Sequence, residues 1–189
     1  MKIKVLTLPK AEQRQRYIKE NIKLPYEFFW AIDGSKFRFK HSILNTPAVC
    51  TFLSHTNLML QSLNDEDDLC LVLEDDVSFN GSLDLINEKI QTLPEDWDIA
   101  FFGWYAVQFP MKKIDVNNDW FIVDKFWGMH AYLIKKDKIM KLYNTILNID
   151  SHIDIQISKY ISQKKLNGYF LKVPLFHQNG KFESQIKNL

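Results

Sequence analysis

The chain has 189 residues, 46% hydrophobic and 14% aromatic, which excludes a disordered protein and leaves room for one full core. Lys and Arg total 24 against 23 Asp and Glu, and the resulting net charge of +1 gives no reason to expect nucleic acid as a partner. Two cysteines, Cys50 and Cys70, form neither a disulfide framework nor a zinc site, and no stretch approaches the ~20 apolar residues of a membrane span.

Ile3 to Leu8 reads as a first strand, closed by Pro9. Ala11 to Asn21 follows as a helix with a polar face carrying Glu12, Arg14, Arg16, Lys19 and Glu20. Tyr26 to Ile32 is aromatic and strand-like, and Asp33-Gly34 stops it as a turn. Strand, helix and strand together predict a βαβ unit. Lys36 to Lys40 alternates cations with phenylalanines, which suits either a phosphate contact or a solvated loop. Thr46 as cap and Pro47 in the first turn predict a helix running to about Asn64. An acidic turn, Asp65 to Asp68, leads to Leu69-Cys70-Leu71-Val72-Leu73 and then Glu74-Asp75-Asp76-Val77. The unbroken apolar run predicts a strand buried on both faces, with its acids at the carboxyl end, the edge where open α/β sheets bind ligands. Leu83 to Leu93 is a further helix before Pro94, and Trp97 to Gly103 a further buried strand. Trp120 to Val123 and Ala131 to Ile134 read as strands on either side of a Phe126 to His130 loop, with Trp104, Tyr105 and Trp127 also in loops. Asp137 to Leu147, capped by Asp137, and Ile153 to Ser162 are helices, and Tyr169 to Val173 is the last strand. The alternation predicts a single α/β domain over residues 1–189 with a mostly parallel sheet.

Three adjacent carboxylates at a strand end repel one another. A divalent cation relieves this, and Mg²⁺ and Mn²⁺ take oxygen ligands completed by water and phosphate. The alternative is that the acids cap the turn before Asn80-Gly81.

The ordered set Thr7-Leu8 with Arg14, Ala31 to Gly34, Cys50 to His55, Leu71 to Val77, Pro94 to Asp98, Gly128 to Leu133, Asp154, and Pro174-Leu175 with Gln178, Ser184 and Ile186 resembles glycosyltransferase family 25. That family includes lipooligosaccharide and collagen galactosyltransferases. The resemblance implies a GT-A, Rossmann-like fold, a UDP-sugar donor, Mn²⁺ or Mg²⁺, and inverting transfer to a sugar or hydroxylysine hydroxyl. This sequence departs from the family pattern at Thr7, at Thr46-Pro47 and at Gln185.

On that resemblance Asp76 takes the metal, joined by His177, for which a surface histidine is the other reading. Glu74 and Asp75 face the donor, with Glu74 nearer the ribose or behind the metal. Ser54 and His55 line the donor side, or serve as hydrogen-bonded helix structure. Arg14 meets the diphosphate or is one more cation on a solvated face. Asp33 meets the nucleoside or makes an Asp-Gly turn, and Thr7 completes the donor set. Asp154 is the candidate general base, or a helix cap, with Asp150 and Asp98 as rivals. The implied function is transfer of galactose to a glycan hydroxyl in lipooligosaccharide or surface glycan synthesis. The alternatives are transfer of glucose or N-acetylglucosamine to another glycan or to a protein hydroxyl, and a non-catalytic nucleotide-sugar-binding domain. The implied acceptor can be lipid-anchored. The expected setting is the cytoplasm, with at most a peripheral contact at the inner membrane face.

Overall fold

The computed structural model describes residues 1–40, 43–106 and 111–182. The chain opens with β1 (Lys2–Thr7), α1 (Glu12–Asn21) and β2 (Glu27–Trp30). It continues with α2 (Thr46–Gln61), β3 (Leu69–Glu74), β4 (Val77–Phe79) and α3 (Leu83–Gln91). Then come β5 (Ile99–Ala106), β6 (Lys113–Asp115), β7 (Trp120–Val123) and β8 (Phe126–Lys135). The remainder is α4 (Ile139–Ile146), α5 (Ile153–Ser162), β9 (Gly168–Leu171) and β10 (Phe176–Gln178).

Eight strands form one sheet in the order β2-β1-β3-β8-β5-β9-β7-β6. β2, β1 and β3 pair in parallel, as do β5 and β9. β8 is antiparallel to both β3 and β5, and β7 to both β9 and β6. All strands of this sheet except β7 and β8 therefore run one way, and the predicted βαβ start is the β1–α1–β2 unit. β4 and β10 make a separate antiparallel pair.

The sheet has a core on each face. Cys70 and Val72 of β3 face the side covered by Phe52 and Leu58 of α2, Leu142 of α4 and Ile157 of α5. Leu71 and Leu73 face the side covered by Ile18 of α1 and Ile86 of α3. Period-two alternation sends neighbours to opposite faces, and because both faces are covered the strand is apolar throughout. Each of these side chains contributes about 1.5–3 kcal/mol through burial.

Four expectations need correction. The cap of α2 is Asn45, whose side chain accepts from the Ala48 N–H; Thr46 is already helical. Asp137 caps nothing: it lies in a 3₁₀ turn, Lys136–Lys138, and α4 starts after it without a side-chain cap. The Phe126 to His130 loop is the first half of β8, a ten-residue strand inserted between β3 and β5. Trp104, Tyr105 and Trp127 are accordingly strand residues. β8 reads as broken because Gly128 interrupts its pattern. Gly128 has φ +70°, and a side chain there would also stand 3.1 Å from the Tyr105 ring.

Candidate active site

The carboxyl ends of β1 and β3 and the amino end of β8 meet at one edge of the sheet. Glu74 ends β3, and Asp75 and Asp76 form the two-residue turn into β4. This turn brings the acids together above the sheet, and the chain answers their repulsion with named partners. Asp75 accepts from Thr7 Oγ1 at 2.6 Å and from Arg14 Nη1 at 2.7 Å. Asp76 Oδ2 accepts from the same Arg14 nitrogen at 3.0 Å and from Gln178 Nε2 at 2.9 Å. Among the described residues, Asp76 Oδ1 is buried with no hydrogen-bond partner. Burial pushes the Glu74 carboxyl well above its ordinary range, and the charges of Asp76, Asp75 and Asp154 push it the same way. Burial raises Asp75 as well, against the pull of Arg14.

A cleft of about 640 Å³ opens beside Glu74, a volume suited to a small-molecule ligand. Glu74, His55, Gln178, Trp127, Gly128 and Asp154 are among its lining residues. Asp154 lies in the first turn of α5. Its Oδ2 accepts from the Gly128 N–H at 2.8 Å and its Oδ1 from the Ile155 N–H at 2.9 Å. The carboxylate is thus fixed by two backbone donors, yet each oxygen keeps a lone pair.

The two rival bases stand elsewhere. Asp98 precedes β5 at the opposite edge of the sheet and is bonded to Lys141 and the Asn167 N–H. Asp150 is paired with Lys159 and Ser151, and the Lys159 hydrogen bond holds its carboxyl below the ordinary range.

The donor-side candidates separate into those at the cleft and those behind it. Thr7 is buried and faces Asp75, so it positions the acid turn. Ser54 is buried, donates to the Cys50 carbonyl and accepts from the Ile32 N–H, tying α2 to the end of β2. Asp33 makes the turn: it accepts from Ser35 and from Lys10, whose hydrogen bond comes first in lowering its carboxyl to about 2. His55 reaches the cleft. Tyr132 lies 2.9 Å from its Nδ1, and Glu74 Oε1 lies 3.8 Å from its Nε2, too long for a hydrogen bond. The Tyr132 hydroxyl and His55 Nδ1 share one hydrogen bond, whose direction follows the tautomer of the ring. His177 is exposed on β10, and the side chain that meets Asp76 is that of its neighbour Gln178.

Among the described residues, no three or more His, Cys, Asp or Glu are grouped to hold a cation by themselves. What the site offers a cation is the unpartnered Asp76 Oδ1. This fits a hard ion whose other ligands are phosphate oxygens and water, the usual arrangement for Mg²⁺.

Gln178 and His130 belong to the stretches that carry the family resemblance, where neither has a role; the structure puts Gln178 on Asp76 and His130 on the strand beside the cleft. His130 is buried, with Nε2 3.2 Å from the Phe176 carbonyl and, among the described residues, no partner at Nδ1. Its ring is 5.1 Å from that of Tyr105. Gly103 admits this ring, because a Cβ there would lie 2.6 Å from it.

Burial lowers both His55 and His130 from 6.5 to about 4. The unfolded chain takes these protons near pH 6.5 and the folded chain only near pH 4. Their contribution to stability is therefore complete above pH 6.5 and is lost as pH falls toward 4. The raised Glu74 and Asp75 carboxyls act in the opposite sense, so the His55 share, about 1.4 kcal/mol per pH unit in that window, is the difference in slope between parent and His55→Gln in urea unfolding at stepped pH. An unchanged slope would remove His55 from the account.

A family model described as glycosyltransferase family 25 (LPS biosynthesis protein) matches residues 1–157. No curated protein matches the chain. Among solved structures, a glycosyltransferase involved in the glycosylation of the major capsid of PBCV-1 is similar, with 11% identity and a TM-score of 0.58 over 97% of this chain and 95% of that one. A 4-diphosphocytidyl-2C-methyl-D-erythritolsynthase from Anaerococcus prevotii gives 12% identity and a TM-score of 0.47 over 92% and 71%. At such identities the first is a likeness of fold.

Proposed function

The chain belongs to glycosyltransferase family 25, and from that membership we propose that it moves galactose from UDP-galactose to a hydroxyl of a surface glycan, with inversion and with Mn²⁺ or Mg²⁺ at Asp76. The observation that carries this reading is the cleft itself. It holds Asp154, fixed by backbone donors, and Glu74, next to the Arg14-clamped aspartates.

The residues divide the work. Arg14 sets positive charge against Asp75 and Asp76 where the diphosphate would lie. Gln178 and Arg14 hold Asp76 Oδ2, leaving Oδ1 to face the cation. A bound cation would neutralise charge on the departing diphosphate. Glu74, its carboxyl raised above the ordinary range by burial and by the neighbouring acids, lines the cleft where the donor would lie. As the acceptor oxygen bonds to the anomeric carbon, its proton passes to Asp154. The bond from that carbon to the diphosphate oxygen breaks on the opposite face, and the diphosphate leaves with the electron pair.

The test is UDP release from UDP-galactose with Mn²⁺, with Mg²⁺ and with EDTA, against UDP-glucose and UDP-N-acetylglucosamine. Fastest release from UDP-galactose with metal is expected. Equal release in EDTA would remove the cation from the reading, and preference for another donor would remove galactose.

Among the described residues, no helix is long and apolar enough to cross a membrane. A lipid-anchored acceptor would then be met peripherally, through Lys36 to Lys40. There the exposed Phe37 and Phe39 rings stack at 5.8 Å between three cations; His41, next to them, lies outside the described residues. Each cation near an anionic surface is worth about 1 kcal/mol. Weak sedimentation with phosphatidylglycerol vesicles at low salt is expected. It should be lost at high salt and when Lys36, Arg38 and Lys40 become glutamine; no sedimentation at low salt would sink the idea.

A further inference from the structure

The lining of the cleft changes character around Asp154. Ile153 and Ile155 flank it on α5, and Trp127 and Met129 flank Gly128, whose N–H holds it. Trp127 is 46% exposed, and so is Tyr105, its cross-strand partner on β5. Their chain neighbours are treated differently. Trp104 and Phe126 are buried, Trp104 donating to the Leu171 carbonyl and both rings packing on Phe170. The strands thus place one aromatic of each pair in the core and leave the other beside the candidate base. The core does not use the Trp127 ring, and it has no hydrogen bond or ring contact among the described residues.

An aromatic face next to a carboxylate suits a ligand with a C–H face and a hydroxyl edge. A pyranose has both: the weakly positive C–H hydrogens lie on the negative face of the indole, and the hydroxyls point outward. The diphosphate end of a donor belongs with Arg14 and Asp76, whereas Asp154 must touch the acceptor hydroxyl. A ring seated on Trp127 is therefore the acceptor's.

We propose that Trp127 is the platform for the acceptor sugar, with Tyr105 extending it, so that the acceptor is a glycan and its terminal pyranose stacks on the indole while one hydroxyl reaches Asp154. This rests on the glycosyltransferase reading of the cleft. It makes Trp127 a specificity residue for a ring, and a peptide hydroxyl on a flexible side chain gains nothing from it.

Two measurements test the platform. Saturation-transfer NMR with methyl galactosides, methyl glucosides and a hydroxylysine peptide needs no turnover. Transfer to the C–H face of a glycoside is expected in the parent, lost in Trp127→Ala and kept in Trp127→Phe. With turnover, Trp127→Ala should raise the acceptor KM by about tenfold and lower kcat by much less. Trp127→Phe should restore the KM. Circular dichroism establishes that each variant is folded. Transfer to the peptide but to no glycoside, or transfer that survives in folded Trp127→Ala, would overturn the platform. If the parent releases no UDP, the glycosyltransfer reading fails while the NMR arm still decides whether a sugar ring sits on Trp127.

Discussion

Asp154→Asn is expected to lower turnover by about 10²- to 10⁴-fold, the range for loss of a general base. Asparagine has the same size, and its carbonyl oxygen can still accept from the Gly128 N–H that now bonds Asp154 Oδ2 at 2.8 Å. The amide nitrogen has no basic lone pair, so the acceptor's proton has nowhere to go. Donor affinity should not change, because the donor does not use that lone pair in the ground state. A fall in kcat with an unchanged donor Kd is the signature of an interaction made only in the transition state. Neither rival can take over. Asp98 is at the far edge of the sheet, and Asp150 is paired with Lys159, whose hydrogen bond lowers its carboxyl and makes it the weaker base. Turnover within about threefold of the parent at saturating acceptor would remove Asp154 from the chemistry.

The second large effect is on the donor. Asp76→Asn should weaken Mn²⁺-dependent UDP binding by about 100-fold, measured by calorimetry. Asp76 carries the carboxylate oxygen that is buried without a partner, and an amide there presents either a neutral oxygen or an N–H toward the cation. Arg14 keeps its bond to Asp75, so the turn stays anchored and the melting temperature should move by only a few degrees. UDP binding in EDTA should be equal in parent and variant. Equal binding in Mn²⁺ as well would dismiss Asp76 as the metal residue.

The sequence makes some of this legible and hides the rest, for identifiable reasons. The apolar run of β3 has the pattern of a doubly buried strand, and that strand puts the acids after it at its carboxyl edge. Asp154 carries a local signal as an acid at a helix start. Other features depend on contacts that no local pattern encodes. Gln178 meets Asp76 across 102 residues of chain, and Arg14 meets the two aspartates across more than 60. Thr7 and Ser54 look equally suited to ligand or to structure, since a hydroxyl serves both, and only burial assigns them to Asp75 and to the Ile32 N–H. β8 hides behind Gly128, where a left-handed residue breaks the alternation that marks a strand. β10 hides because three residues between Pro174 and Asn179-Gly180 read as loop.

The placement of β10 bears on how the protein is made. Chains leave the ribosome amino end first, and domains fold as they emerge. β1, α1 and β3 carry Thr7, Arg14 and the acids, and all are available once the first eighty residues or so are out. Gln178, which bonds Asp76, and Phe182, whose ring lies 5.2 Å from the Arg14 guanidinium, follow roughly a hundred residues later. Until then the acid turn lacks both contacts. At translation rates of about 5–20 residues per second, a nascent chain spends about 5 to 20 seconds in that state. A chain from which β9 has emerged and β10 has not can form the eight-stranded sheet, but its acid turn lacks the Gln178 bond and the Phe182 ring that close over it later.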